Sequence, residues 1–308
     1  MSALQRHLRD YLRLRRGLGF KLERAGRLLA DFVSHLEHHR STRITSALAE
    51  QWARQPGDGH PAWWAERRSI VRGFAIHVQA IDPTTEVPGV DLLPRQTRRA
   101  TPYLYSQREI AQIIAAARAR FSPVRAETYA TLVGLLAVTG MRVGEAIGLD
   151  RDDVDLAHEV LVVRDSKFGK SREVPFHPTA ARALADYARL RDATFRRPRS
   201  PAFLLSLAGT RLIYNNVHCA FHALVQTVGL ASRSPSCRPR IHDLRHAFAV
   251  CTLSDWHRSG VDVAALMPRL STYLGHIDPV STYWYLSATP ELLELASRRL
   301  ERSTQRRS

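Results

Sequence analysis

Six side chains between residues 142 and 285 are of types that could act on a phosphate. They are two arginines, a lysine, two histidines and a tyrosine: Arg142, Lys167, His242, Arg245, His276 and Tyr285. A guanidinium binds two phosphate oxygens at once, and an imidazole adds a further donor. An ammonium can donate a proton, and a phenol can act as a nucleophile when cations stabilise the developing charge. Together these groups could cleave a phosphodiester.

Two of the local sequence patterns that contain these residues are weak evidence for a functional site when each is considered alone. Arg142 follows a glycine that ends an apolar helical stretch, and Glu145 lies three residues later, where it can pair with the arginine on one helix face. His242 and Arg245 are also three residues apart and share a helix face. Alone, the first pattern is more typical of a surface ion pair, and the second occurs often by chance.

The distribution of the lysines is more specific evidence for a functional site. Only three of the 45 basic residues are lysines, and two of them, Lys167 and Lys170, lie within four residues of one another. They occupy a segment that contains glycine, between two predicted short strands at 159–164 and 172–176, so the sequence predicts a β-hairpin that carries both lysines. Arginine cannot replace lysine as a proton donor at neutral pH. The hairpin is therefore a candidate site.

Three tyrosines lie near His276, which follows Leu274 and Gly275. Tyr273 precedes this histidine, Tyr283 comes seven residues after it and Tyr285 comes nine residues after it. Considered alone, an aromatic group of this kind is more easily explained by core packing. A nucleophilic role needs cations around the hydroxyl, and only the combination of the patterns supplies them.

The segment 1–82 must form helices, because apolar residues recur in it at helical spacing in four stretches. It holds 14 Lys+Arg against 8 Asp+Glu. A small basic helical domain can bind DNA, and a helical bundle with arginine-rich solvated faces is an equally good interpretation of this segment alone. Residues 83–102 are rich in proline and arginine, which predicts a linker.

Residues 103–308 form the larger predicted domain. Its first helix starts at Ser106, with Glu109 in the position of a capping box. A buried helix is predicted at 131–138, followed by the hairpin. Further helices are predicted at 179–191, 215–228, 242–257, 263–274, 280–285 and 290–302. The predicted fold is mainly α, with a small β-hairpin in the second domain.

The charge points to a polyanionic partner. The chain carries a formal net charge of +16 and has a pI of about 10.7, which favours a nucleic acid, although a general bias towards arginine is an alternative. No apolar run is long enough to span a bilayer and residues 1–16 do not resemble a secretory leader, so we expect a cytoplasmic, nucleoid-associated protein without membrane contact. We expect Cys219, Cys237 and Cys251 to be reduced thiols, and no metal or other cofactor.

In combination, the ordered patterns resemble the tyrosine recombinase (phage integrase) family. The resemblance rests on Thr139-Gly140-Met141-Arg142 with Glu145, the lysine hairpin, the His242–Arg245 pair, Leu274-Gly275-His276, and Tyr285. It covers about residues 103–290. The segment 1–82 resembles the SAM-like core-binding domain of the family in architecture. The resemblance implies a catalytic domain over 103–308 with a C-terminal helix or tail, and strand cleavage through a 3′-phosphotyrosyl intermediate without metal or nucleotide.

The resemblance also implies a role for each site residue. Arg142 and Arg245 would bind the scissile phosphate, Glu145 would support Arg142, and His242 and His276 would donate hydrogen bonds or transfer protons. Lys167 would protonate the leaving 5′-oxygen, and Lys170 would be a more solvated phosphate contact. Tyr285 has the spacing of the nucleophile.

The implied partner is double-stranded DNA with specific recombination sites, bound by a homo- or hetero-tetramer at synapsis. Two alternatives remain from the sequence. One is a type IB topoisomerase, which shares the chemistry, and the other is a catalytically silent DNA-binding relative. The sequence does not choose between a mobile-element integrase, a chromosome-dimer resolvase and an integron-type enzyme.

Overall fold

The structure is a computed structural model that describes residues 2–55, 57, 59, 61–89, 100–164, 169, 171–276, 278 and 280–287. The hairpin residues Lys167 and Lys170, residues 90–99 of the predicted linker and the predicted helix at 290–302 lie outside the described residues. The chain divides into two compact units, Met1–Arg99 and Ala100–Ser308.

The described residues of the first unit form four helices: α1 (Ala3–Gly17), α2 (Glu23–His38), α3 (Ser46–Arg54) and α4 (Pro61–Gln79). Side chains cap two of them, since the hydroxyls of Ser2 and Thr45 accept from backbone N–H groups in the first turns of α1 and α3. The helices share one apolar core, whose fully buried members include Leu29, Phe32, Leu36, Trp52, Val71 and Phe74. The four helices predicted from the apolar spacing are confirmed.

The second unit contains the remaining helices. They are α5 (Gln107–Arg120), α6 (Pro123–Thr139), α7 (Val143–Gly148), α8 (Pro178–Thr194), α9 (Tyr214–Val228), α10 (Asp243–Arg258), α11 (Val263–Leu274) and α12 (Val280–Tyr283), followed by a 3₁₀ turn at Trp284–Ser287. The capping box at the start of α5 is confirmed: the Ser106 hydroxyl accepts from the Glu109 N–H at 3.2 Å, and the Glu109 carboxylate accepts from the Ser106 N–H at 2.7 Å.

A small antiparallel sheet in this unit has the order β1 (Val154–Asp155), β2 (Val160–Val163) and β3 (Arg172–Pro175). The predicted hairpin corresponds to β2 and β3, which pair from Val160–Pro175 to Val163–Arg172. The two-residue strand β1 was not predicted, because a segment this short has no periodicity and forms only when a neighbouring strand is in place. The mainly helical fold with a small sheet is confirmed.

The end of α6 packs closely against α10, which is distant from it in the sequence. Gly140 ends this helix with a φ of +60°, in the left-handed region that favours glycine. A Cβ at this position would lie 2.5 Å from Cδ1 of Phe248 on α10. Any side chain here would therefore push α10 away from the end of α6.

A separate apolar cluster joins α10, α11 and the 3₁₀ turn that follows α12. Its buried members are Ala249, Val250, Leu253, Val263, Met267, Leu270, Leu274 and Tyr285. No disulfide joins Cys219, Cys237 and Cys251, all of which are among the described residues. In the described part of the chain, no helix combines the length and the apolar character needed to cross a bilayer.

Candidate active site

Arg245 lies in the first turn of α10 and is almost completely buried, with 2% of the residue exposed. Its guanidinium donates to two carbonyls from distant segments, that of Gly140 at 2.8 Å and that of Leu274 at 2.7 Å. Burial, and then the positive charge of Arg142, lower the pKa of Arg245 to about 10. The group is still a cation at neutral pH, held in a fixed orientation.

Arg142 precedes α7 and is partly exposed, so it can reach a ligand. Its guanidinium donates to the Glu145 carboxylate at 2.8 Å and to the Gly275 carbonyl at 3.1 Å. The Arg142 backbone N–H also donates to this carboxylate, at 3.0 Å. The sequence-predicted pair of Arg142 and Glu145 is therefore present, and it is attached to the segment that contains His276.

The C-terminal end of α11 organises three arginines through three consecutive carbonyls. The carbonyls of Tyr273, Leu274 and Gly275 accept from Arg172, Arg245 and Arg142, at 2.8, 2.7 and 3.1 Å. A helix leaves its last carbonyls without helical partners, and its C-terminal end carries partial negative charge, so cations are favoured there. The end of this helix thus assembles a cluster of positive charge.

Arg172, the first residue of β3, is a member of this cluster to which the sequence analysis assigned no role. It donates to both oxygens of Glu145, at 3.2 and 2.8 Å, and only 11% of its side chain is exposed. A Cβ on Gly275, whose φ is +70°, would lie 2.7 Å from the Arg172 guanidinium. The signal in the sequence was its place at the start of the strand predicted at 172–176, two residues after Lys170.

The two arginines determine the ionisation of Glu145. Burial by itself raises the pKa of this carboxyl, but hydrogen bonds and charge from Arg172, together with the contacts from Arg142, outweigh burial and hold the pKa at about 2. A carboxylate with a lowered pKa in the folded state stabilises the fold above its unfolded pKa, and this contribution is lost as the pH falls through the folded pKa. The contribution of Glu145 is therefore complete at neutral pH and disappears between pH 4.5 and about 2.

Arg172→Met should destabilise the second unit and make it more sensitive to acid. The substitution leaves Glu145 in a buried position with one of its two guanidinium partners removed, which we expect to lower the free energy of unfolding by about 3 kcal/mol at neutral pH. It should also raise the pKa of Glu145, so that acid unfolding occurs at a higher pH. Urea unfolding at neutral pH and an acid titration, both followed by circular dichroism, measure these effects.

A matched control is Arg258→Met, which breaks an ion pair with Asp255 at the end of α10. Both side chains of that pair are 65% exposed, and their N···O distance is 3.1 Å. Exposed pairs contribute little, so the unfolding free energy should change by about 0.5 kcal/mol or less. If the two variants lost the same free energy of unfolding, the buried network around Glu145 would stabilise the fold no more than an exposed ion pair does.

The two predicted histidines have different neighbours. His276 follows the end of α11, and its Nδ1 lies 2.6 Å from the Thr282 hydroxyl. The ring of His276 is nearly parallel to that of Tyr285, with centroids 6.3 Å apart. His242 is exposed just before α10, and its ring meets that of His246 edge-on at 5.1 Å.

Tyr285 is the most buried of the three candidate tyrosines, with 1% of the residue exposed. Its hydroxyl lies 3.0 Å from Nδ1 of His246, a residue that the sequence analysis did not single out. Tyr273 instead donates to the Pro175 carbonyl at 3.0 Å, and Tyr283 is half exposed. The signal for His246 was its place directly after Arg245, which completes the pattern His-x-x-Arg-His.

The structure thus gathers Arg142, Arg245, His276 and Tyr285 around residues 274–276. The predicted Lys167 and Lys170 are outside the described residues. Among the residues that the structure describes, no three His, Cys, Asp or Glu side chains are grouped so that they could hold a metal ion. Two guanidinium groups, one of them partly exposed, next to a histidine and a phenol can bind a phosphate diester and present a nucleophile to it.

Comparison with known proteins shows to which family the chain belongs. Residues 104–291 match the model of the phage integrase family. The chain is 43% identical to integrase/recombinase y4rB of Sinorhizobium fredii, over 98% of each protein. It belongs to the phage integrase family.

Membership makes the chain a tyrosine recombinase, an enzyme that breaks and rejoins DNA strands at specific sites. This family member is also 30% identical to tyrosine recombinase XerC of Mycobacterium tuberculosis, over 92% of this chain and 94% of that protein. Its fold resembles that of a lambda integrase tetramer bound to a Holliday junction, with a TM-score of 0.59, 17% identity, and coverage of 92% of this chain and 76% of the other. These comparisons do not favour a type IB topoisomerase or a silent relative.

Proposed function

We propose that this recombinase cleaves its DNA with Tyr285 as the nucleophile, while Arg142 and Arg245 bind the scissile phosphate. The observation that carries the proposal is the convergence at the end of α11. Arg142 and His276 are 134 residues apart in the sequence, yet the Arg142 guanidinium donates to the carbonyl of the residue just before His276. A shared phosphate explains why distant cations and a buried phenol meet at one place.

In the proposed reaction, Oη of Tyr285 forms a bond to phosphorus and the bond from phosphorus to the 5′-oxygen breaks. Negative charge grows on the non-bridging oxygens, where the two arginines and the donors His242 and His276 stabilise it. The 5′-oxygen is a poor leaving group, so it needs a proton, which we assign to Lys167. The resulting 3′-phosphotyrosyl bond keeps the energy of the original diester, so a 5′-hydroxyl can reverse the step without a cofactor.

The remaining residues have supporting roles in the proposal. Glu145 holds Arg142 in position, as its two hydrogen bonds with that residue indicate. Lys170 contacts a DNA phosphate outside the reacting centre. The basic unit at the N-terminus is proposed as a core-binding domain, with 1–82 as its extent and 83–102 as a linker to the catalytic domain.

The proposed partner is double-stranded DNA with specific recombination sites, held in a tetramer of this chain or of this chain and a related recombinase. The net charge of +16 supports a DNA partner. The lambda integrase structure that this fold resembles is itself a tetramer on a Holliday junction, which supports the assembly. We place the activity at the nucleoid.

Trapping covalent complexes tests the proposal and selects the target site in the same experiment. The full chain is incubated with a library of nicked duplexes of random sequence, in which cleavage releases a short strand and prevents rejoining. Covalent complexes are isolated, the DNA is sequenced and the modified peptide is identified by mass spectrometry.

We expect the trapped DNA to converge on one sequence and the modified peptide to contain Tyr285 as the linked residue. Linkage to Tyr273 or Tyr283 would overturn the assignment of the nucleophile. Relaxation of supercoiled plasmid that lacks the selected sequence would contradict site-specific recombination and favour a topoisomerase.

A further inference from the structure

His246 touches the proposed nucleophile directly, and the roles assigned above do not use it. Its Nδ1 lies 3.0 Å from the hydroxyl of Tyr285, and the two residues are 9% and 1% exposed. The ring centroids are 5.4 Å apart. This distance between Nδ1 and the hydroxyl is within the range at which a proton can pass directly between two groups.

The surroundings of His246 hold it against the 3₁₀ turn that carries Tyr285. His246 is in the first turn of α10, where its ring meets that of His242 edge-on at 5.1 Å. The Trp284 ring, from the 3₁₀ turn, also approaches the imidazole, with a centroid distance of 5.7 Å. The imidazole is therefore positioned by rings from both elements rather than by the tyrosine alone.

Among the described residues, the charged groups around this pair include the cations of the phosphate site, the Glu145 carboxylate and Asp243, which is buried in the same first turn of α10 as His246. Arg245 precedes His246 on α10, and Arg142 with its partner Glu145 lies at the start of α7. His276 at the end of α11 lies parallel to the tyrosine ring. A negative charge on Tyr285 would raise the pKa of Arg245, so this guanidinium is close enough to stabilise a phenolate.

A phenol needs a proton acceptor to react rapidly at neutral pH, because its ordinary pKa is about 10. The arginines can stabilise the phenolate, but a guanidinium has no lone pair that could accept the proton. A neutral imidazole with its proton on Nε2 can accept at Nδ1. His246 has this chemistry and the required distance.

We propose that His246 is a catalytic residue, the general base that accepts the phenolic proton of Tyr285 during strand cleavage. As Oη bonds to phosphorus, the O–H bond breaks and the proton moves to Nδ1 of His246, while the general acid protonates the departing 5′-oxygen. In the rejoining step the imidazolium returns its proton to Oη. The inference rests on the proposed role of Tyr285 as the nucleophile.

His246→Asn tests the inference, because asparagine can still hydrogen-bond to the phenol but cannot take up its proton. The rate of covalent complex formation is measured in a single turnover on the trapped nicked duplex, between about pH 5 and about pH 9. We expect a rate lower by about 100-fold or more, with unchanged DNA affinity. The wild-type rate should fall as the pH falls and the imidazole becomes protonated, and the variant should lose this dependence.

His177→Asn is the matched control. His177 is an exposed residue whose side chain caps α8 by accepting from the Thr179 N–H at 3.3 Å. Asparagine is also a favourable cap, so the helix should be unaffected. This variant should keep both the wild-type rate and the wild-type pH profile.

A second variant, His246→Gly, keeps the inference testable if the asparagine disturbs the fold. Added imidazoles of different pKa should restore complex formation, and the rate should rise with the basicity of the added compound. DNA binding shows that each variant is folded.

Three results would overturn the inference: a wild-type rate independent of pH over the range, a wild-type rate and profile in His246→Asn, or a rescue rate independent of base strength. A different result would overturn the proposed function instead, namely a covalent linkage to a residue other than Tyr285. The two failures are therefore distinguishable.

Discussion

Tyr285→Phe is expected to bind the selected DNA with wild-type affinity and to form no covalent complex. Phenylalanine keeps the ring, which is packed in the cluster between α10, α11 and the 3₁₀ turn, and removes only the hydroxyl that would attack the phosphate. The loss should be complete, since attack by water in place of Tyr285 gives no protein–DNA bond. Complex formation on the nicked duplex, resolved on a denaturing gel, measures it.

Tyr283→Phe is the matched control for this experiment. Tyr283 lies two residues before Tyr285 and is 48% exposed, so its hydroxyl can be removed without disturbing the core. We expect this variant to form the covalent complex at the wild-type rate. A complex that persisted in Tyr285→Phe and vanished in Tyr283→Phe would transfer the nucleophilic role to Tyr283.

Lys167→Ala should reduce cleavage of ordinary DNA by about 100-fold or more, as expected for the loss of a general acid. A duplex with a bridging 5′-phosphorothiolate at the scissile position has a leaving group that needs no proton. Cleavage of that duplex by Lys167→Ala should therefore be close to the wild-type rate. Single-turnover rates on the two duplexes measure the rescue.

Two further variants test whether the rescue by the phosphorothiolate is specific to Lys167. Arg142→Ala should remain inactive on the phosphorothiolate duplex, because the charge on the non-bridging oxygens still needs its cation. Lys170→Ala should cleave normally once bound, but should bind more weakly as salt rises, as expected for a lost phosphate contact. If the phosphorothiolate rescued Lys170→Ala and left Lys167→Ala inactive, the roles of the two lysines would be exchanged.

Much of the local structure could be predicted because it depends on neighbours in the sequence. The capping box of Ser106 and Glu109, the glycine that ends α6 and the pairing of β2 with β3 all depend on residues within one element or one turn. The bounds of α11 agree with the prediction residue for residue. Strand β1 could not be predicted, because its two residues pair only once β2 is present.

By itself, the sequence determined which chemical groups are available and in what order. The lysine pair in an arginine-rich chain, the spacing of His242 from Arg245 and the place of Tyr285 after His276 were sufficient to predict a phosphate site in a tyrosine recombinase. These features are visible because their spacing is short or belongs to an ordered motif.

Only the tertiary structure decided how these groups are held. Three consecutive carbonyls at the end of α11 bind three arginines that are 29 to 133 residues away in the sequence. The spacing of apolar residues predicts helices and strands, but it does not predict contacts between residues so far apart. The partnership of Arg172 with Glu145 and that of His246 with Tyr285 depend likewise on which surfaces of the packed helices and sheet meet. Buried polar groups must find partners when the chain folds, and packing rather than spacing determines which partners are within reach.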